Sequence, residues 1–207
     1  MDTTSAAPLY TRFASNGIGG ADAPDRIALN DGRLVRVSPV HPRDASAERD
    51  FVGALSLTSR YRRFHFGLRE LSPEASRAMT EIDQHHHVAF VARPEGASTI
   101  VADARYVLRA DSADAEFAIA IADDWQGAGL GRALLQRLAG HARADGVHRL
   151  FGDVLWGNPS MLALVRSLGA QLQRNPGDST VVRVEFVFDT EPVDRLSSAS
   201  GPALRHT

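Results

Sequence analysis

From Ala115 to Ile121 the chain alternates large and small apolar side chains, with Phe117, Ile119 and Ile121 set against Ala118 and Ala120. A period of two is the mark of a strand whose two faces meet different surroundings. From Leu130 the period lengthens. Leu130, Leu134 and Leu138 form one helical stripe, flanked by Leu135, Ala139 and Ala142, and Gly146 stands where a C-terminal cap belongs. Residues 115–146 therefore read as strand, short connection and long amphipathic helix.

The same reading extends along the rest of the chain. Residues 26–29 and 33–37 form a hairpin about Asn30-Asp31-Gly32. Asp44 is expected to cap a helix over 45–55, and a second short helix carries Ser59 to Phe64. Ser72 followed by Pro73 starts a helix that runs to about Ile82. Strands are expected at 88–92, about 99–109, 115–121 and 150–155, with a turn at Pro94-Glu95-Gly96. Asn158 caps a helix over 161–168, and residues 170–172 and 181–188 close the chain as a hairpin. This order predicts an α/β (α+β) fold, a mixed central sheet of six to seven strands with helices on both faces.

The connection between the central strand and the long helix reads Gln126-Gly127-Ala128-Gly129-Leu130-Gly131-Arg132. Glycines at alternate positions let main-chain amides approach a ligand without a Cβ in the way. The helix start adds unpaired N–H groups and a positive dipole end, so the place favours an anion, most naturally a phosphate. A tight turn that merely packs the helix on the sheet would use the same glycines. A P-loop needs Gly-Lys-Ser/Thr, and the chain has no lysine at all. A dinucleotide fingerprint needs a third glycine where Arg132 or Leu134 stands.

At 207 residues, 43% of them hydrophobic, the chain suits one domain. A flexible arm is expected over 1–25, a folded domain over 26–188 and a flexible tail over 189–207. Met1 to Asp25 lacks an apolar segment of signal-peptide type, and no apolar run approaches membrane-spanning length, so a cytoplasmic location is expected. A net charge of -2 argues against a nucleic-acid or membrane-surface partner. The absence of cysteine removes disulfides, thiol catalysis and thiolate metal sites together.

Gln126, Gly129 and Gly131 fill the pattern Q/R-x-x-G-x-G/A, which resembles the pyrophosphate loop of the GNAT superfamily of N-acetyltransferases. The element order is that family's too. Closer similarity is to the GNAT domain of bacterial protein lysine acetyltransferases that modify acyl-CoA synthetases. It is carried by Pro39-Val40-His41-Pro42-Arg43-Asp44, Ser59-Arg60-Tyr61-Arg62-Arg63-Phe64, Leu71-Ser72-Pro73-Glu74, Ala115-Glu116-Phe117-Ala118 and Asn158-Pro159-Ser160-Met161-Leu162. The resemblance implies acetyl-CoA as co-substrate, no metal, and a protein lysine or a small amine as acceptor. It implies cofactor contacts from Ile119, Ile121, Gln126, Gly127, Ala128, Gly129, Leu130, Gly131, Arg132 and Asn158. It also implies a tyrosine acid one helical turn into the last helix, where this chain has Val165.

Transfer to an amine needs the amine neutral, and a free lysine has a pKa of about 10.4, so a base is required. Glu116 is the carboxylate at the head of the apolar central strand, where burial would raise its pKa towards a useful range; a strand-edge glutamate in solvent is the other reading of the position. The strand's main-chain N–H groups near Ile119 to Ile121 would polarise the thioester carbonyl, and the pantetheine arm would pair along the same strand. Tyr106 is a candidate to assist the leaving thiolate. Arg60 and Arg63 would hold phosphates or an acidic surface, or form a solvated helix face. Asp123 and Asp124 belong to a turn or would steer a cationic substrate. His85-His86-His87 point to alternate faces of a strand start and do not converge on a metal. His41, His65, His141 and His148 read as packing or surface residues. Two other functions stay open: acetylation of a small amine or polyamine, and non-catalytic binding of an acyl-CoA.

Overall fold

The computed structural model describes residues 25–175 and 177–188. The expected tail, and all of the expected N-terminal arm but Asp25, lie outside them. The strands are β1 (Asp25–Ala28), β2 (Leu34–Pro39), β3 (His87–Pro94), β4 (Ala102–Leu108), β5 (Asp114–Ile121), β6 (Arg149–Leu155), β7 (Gln171–Arg174) and β8 (Val181–Val187). The helices are α1 (Ala45–Ala54), α2 (Leu57–Phe64), α3 (Pro73–Thr80), α4 (Leu130–Ala144) and α5 (Pro159–Ser167). All eight strands join one sheet in the order β1-β2-β3-β4-β5-β6-β8-β7. Eight strands correct the expected six to seven. The segments expected at 26–29 and 170–172 become the short edge strands β1 and β7, four residues each, and both join the sheet rather than standing outside it.

Every neighbouring pair is antiparallel except β5 and β6, which run parallel and are joined by the crossover through α4. Val88, Phe90, Ala102, Ala104, Tyr106 and Phe117 turn to the face covered by α4 and α5, packing with Leu130, Leu134, Leu138, Leu162 and Val165. Ala89, Val91 and Ala120 turn to the opposite face, under Phe51, Val52, Leu55 and Leu71 from α1 and the stretch before α3.

Local signals explain most helix ends. Ser72 Oγ accepts the Ala75 N–H at 3.1 Å, and Ser56 Oγ accepts the Ser59 N–H at the same distance. Asp44 occupies the position before α1, but its carboxylate makes no cap to that helix. It instead accepts the His41 N–H at 2.9 Å and pairs with Arg93 at 2.8 Å, because a one-turn 3-10 helix at Pro42–Asp44 has already placed it in helical geometry. α3 stops at Thr80, two residues before the expected end, where Glu81 leaves the helical region.

Candidate active site

β5 and β6 pair only at Asp114–Arg149, Ala115–Leu150 and Glu116–Phe151. Beyond that point β5 stays with β4 as far as Ile121, and β6 stays with β8 as far as Leu155, so two parallel neighbours part in the middle of a continuous sheet. Gly152 stands at the fork. A Cβ there would meet the Phe117 carbonyl oxygen and the Phe117 ring at 3.0 Å, so a side chain would fit only if the strands gave way by a few tenths of an ångström.

The Ala122 N–H bonds to the Val101 carbonyl on the β4 side. Because successive peptide groups of a strand point to opposite sides, those of Ile119 and Ile121, beyond the last β5–β6 pair, point into the gap. A cavity of about 640 Å³ opens there, lined by both strands, α2, the glycine connection and α5.

The glycine connection takes its shape from its residues. Gly127 and Gly129 have φ of 77° and 93°, backbone that favours glycine. The Ala128 carbonyl accepts the Asn30 N–H at 3.0 Å, which binds the connection to the β1–β2 turn. A Cβ on Gly131 would lie 3.0 Å from Ile121 Cδ1 and 3.3 Å from Leu164 Cδ2, so glycine lets α4 sit hard against β5. The first N–H to close inside α4 is that of Ala133, to the Gly129 carbonyl. Those before it are left at the positive end of a fifteen-residue helix.

Of the residues singled out from the sequence, Glu116, Ile119, Ile121, Gln126, Gly127, Gly129, Gly131, Arg132 and Asn158 all line this cavity. Ala128 and Leu130 do not. Their side chains are 6% and 1% exposed and belong to the core, as the alternation of the connection requires. Gln126 turns inward, donating from its amide to Ser59 Oγ at 3.1 Å and to the Ile121 carbonyl at 3.0 Å. Arg132 donates to Ser167 Oγ at 2.7 Å across the helix interface. Asn158 spends its carboxamide oxygen on the Met161 N–H, capping α5.

Glu116 is exposed, which corrects the burial expected of it: it is the last residue of β5 still paired with β6, and its side chain lines the cavity instead of packing under a helix. The wall facing it comes from α2 and its end, with Arg62, Arg63, Phe64 and His65, and from Asp153 of β6. Sequence reasoning left Arg62, His65 and Asp153 aside. Arg63 reaches the cavity, whereas Arg60 donates to the Arg69 carbonyl and stays off it. Burial lowers the pKa of the Arg63 guanidinium, against the pull of Asp103, Glu48 and Glu116. Asp153 is held by the Arg183 guanidinium at 2.6 and 3.0 Å.

Asp123 does more than turn the chain. Its carboxylate accepts from Ser56 N–H, Ser56 Oγ and Ser59 Oγ, all within 2.9 Å, and so fixes the start of α2. Burial pushes its pKa up, and these donors more than offset that, leaving it below the usual carboxylate range.

Tyr106 is removed as a proton donor to the thiolate. It faces α4, bonded to Asp145 at 2.9 Å and His141 at 3.1 Å, and burial first, then Asp145, raise its pKa. Val165 is fully buried in the core. His86 pairs with Asp83, His87 meets Arg105, and no cluster of potential metal ligands occurs among the described residues. No helix among them is long and apolar enough to cross a membrane.

Residues 54–170 match the model of the Acetyltransferase (GNAT) family. An acetyltransferase of Pseudomonas aeruginosa is 35% identical over 157 residues, which are 75% of this chain and 84% of that protein. The acetyltransferase Pat of Mycolicibacterium smegmatis is 31% identical over 203 residues, covering 94% of this chain but 60% of Pat. Among solved structures, the GNAT domain of S. lividans PAT aligns with a TM-score of 0.73 at 29% identity, over 80% of this chain and 97% of that one. A Salmonella typhimurium protein solved with acetyl-CoA has the same fold, with a TM-score of 0.62 at 18% identity over 76% of this chain and 96% of its own. The forked sheet, the glycine connection at its mouth and these matches agree, and the chain belongs to the Acetyltransferase (GNAT) family.

Proposed function

We propose that residues 26–188 form a catalytic unit that moves an acetyl group from acetyl-CoA to a protein lysine, directly and in a ternary complex. The observation that carries this reading is the gap between Phe117–Ile121 and Val154, with the Gly127–Arg132 turn at one end and Glu116 at the other. Main-chain N–H groups at the glycine turn suit a pyrophosphate. The open edge of β5 offers a pantetheine arm the ladder that β6 has given up. Asn158, Met161 and Leu164 from α5 would form the opposite wall.

Forming the amide takes two protons from an acceptor ammonium. One passes to the Glu116 carboxylate and on to solvent, freeing the nitrogen lone pair to attack the thioester carbon. The Ile119–Ile121 main chain faces the oxygen on which charge then develops. The C–S bond breaks, and the thiolate leaves with the second proton as CoA-SH. Glu116, exposed in the free chain, is desolvated once cofactor and acceptor fill the cavity. The likeness to Pat and PAT supports a protein acceptor, an acyl-CoA synthetase being the first to try. With no lysine of its own, the chain cannot acetylate its own side chains.

The test is incubation with acetyl-CoA and intact proteins beside a panel of free amines and polyamines, following CoA release and acetyl-lysine by mass spectrometry. Acetylated protein lysine supports the proposal. Transfer to free amines alone moves the function to small molecules. Binding of acetyl-CoA without any accelerated release would make the chain a non-catalytic acyl-CoA module.

A further inference from the structure

Beneath Glu116, on the same face of the sheet, lies a charged cluster that the proposed reaction does not use. Register places Ala118 opposite Arg105 and Ala120 opposite Asp103, so both charged residues share the face of Glu116. Arg105 grips Asp103 at 2.6 and 2.9 Å, with Glu48 of α1 at 3.5 Å from the same guanidinium. Glu48 is fully buried, and neither of its carboxylate oxygens has a hydrogen-bond partner. Arg63, on the last turn of α2, lies between this cluster and the cavity and interacts electrostatically with Glu48, Asp103 and Glu116.

The other charges around Glu116 are largely spent. On β6 and β8, Arg183 pairs with Asp153 at 2.6 Å, and Arg149 pairs with Asp114 at 2.5 Å and Glu185 at 3.3 Å. On β4, Arg105 is matched by Asp103. His87 of β3 is pushed towards its neutral form by burial and by Arg105. On α2 Arg62 donates to the Gly157 carbonyl, and His65, just past its end, interacts electrostatically with Asp178. Arg109 lies over the Phe151 ring but is exposed, so water screens it. Among the described residues, no carboxylate is paired with Arg63, which is half-buried and whose pKa burial lowers.

Whether Arg63 stays available depends on Glu48. Burial, helped by Asp103, pushes the Glu48 carboxyl up to about 8, so near neutral pH it is mostly uncharged and leaves the guanidinium unclaimed.

We propose that Arg63 is a positioning residue for the amine-deprotonating step, standing between Glu48 and Glu116 and lending its positive charge to whichever of the two is ionised. Glu116 shares the cavity lining with Arg63, whereas Glu48 is fully buried. The proposal rests on Glu116 as the base.

The test reads both carboxyls directly and needs no acceptor. In protein labelled with 13C at the glutamate carboxyls, E116Q and E48Q assign the two signals, which are then titrated in wild type, R63M and R63K. Loss of the cation should raise both midpoints, each by about 0.5–1 pH unit, and R63K should restore both. Should R63M fail to fold, R63Q takes its place. Unchanged midpoints in the folded variant, or movement of Glu48 alone, would overturn the inference. Failure of the base itself looks different: E116Q would then keep the wild-type rate and the acidic limb of the pH–rate profile, whatever Arg63 does to the midpoints.

Discussion

The Gln126 side-chain amide reaches across the cavity mouth to Ser59 Oγ at 3.1 Å, tying the glycine turn to the helix that walls the acceptor side. A residue expected to touch phosphate thus holds two walls together. Gln126→Ala removes this bond and the one to the Ile121 carbonyl. Acetyl-CoA affinity, measured by calorimetry, should fall by about five- to thirty-fold, since two ordinary hydrogen bonds are worth roughly 1–2 kcal/mol and the turn's own amides remain.

Glu116→Gln keeps the shape of the cavity and removes the base. The rate of transfer should drop by a factor of about 100 or more, with acetyl-CoA binding unchanged. Equal loss of rate and cofactor binding would assign Glu116 to the donor side instead.

Gly152→Ala probes the fork. Its Cβ would lie 3.0 Å from a main-chain oxygen of Phe117, which cannot rotate away as a side chain could. Overpacking of this kind costs about 1–3 kcal/mol, a melting temperature lower by about 2–10 °C. Gly157→Ala, where a Cβ meets nothing within 4 Å, is the control and should melt with the wild type.

Glu48 makes stability depend on pH. Its folded pKa of about 8 lies above the ordinary carboxyl value of 4.5, so between those values the native state holds a proton that the unfolded chain releases. Stability from this group is therefore greatest below pH 4.5, declines as pH rises through that window, and levels off above it. Relative to Glu48→Gln, the wild-type melting temperature should fall steadily between pH 5 and 8. Parallel curves for the two proteins would show that Glu48 is ionised in the native state.

Much of this was legible in the sequence because it is local. The alternation at Phe117–Ile121, the stripe from Leu130 to Ala142 and the caps at Ser72 and Asn158 each need only a few neighbouring residues, and each stands where expected. The glycine turn was legible because its backbone angles exclude most side chains at Gly127 and Gly129. What escaped depends on residues far apart in the chain. Nothing near Glu116 announces that β6 leaves after Phe151 and that the carboxylate lines the cavity so formed. Arg62 and Arg63 lie in a strongly polar helix that His65 caps, and only its docking on β5 selects which of its residues face the cavity. Tyr106 resembles a free phenol until α4 brings Asp145 against it.

The fork also sets how the molecule should exchange its protons with water. Peptide groups of Ile119 and Ile121 sit in the middle of an eight-stranded sheet yet face an opening, so their amide hydrogens should exchange like those of an edge strand while Ala118 and Ala120, turned to β4, stay protected. A ligand that lies along β5 would slow the first pair and leave the second unchanged. Alternate protection along one short strand would then report, residue by residue, how far an acyl-CoA arm has entered.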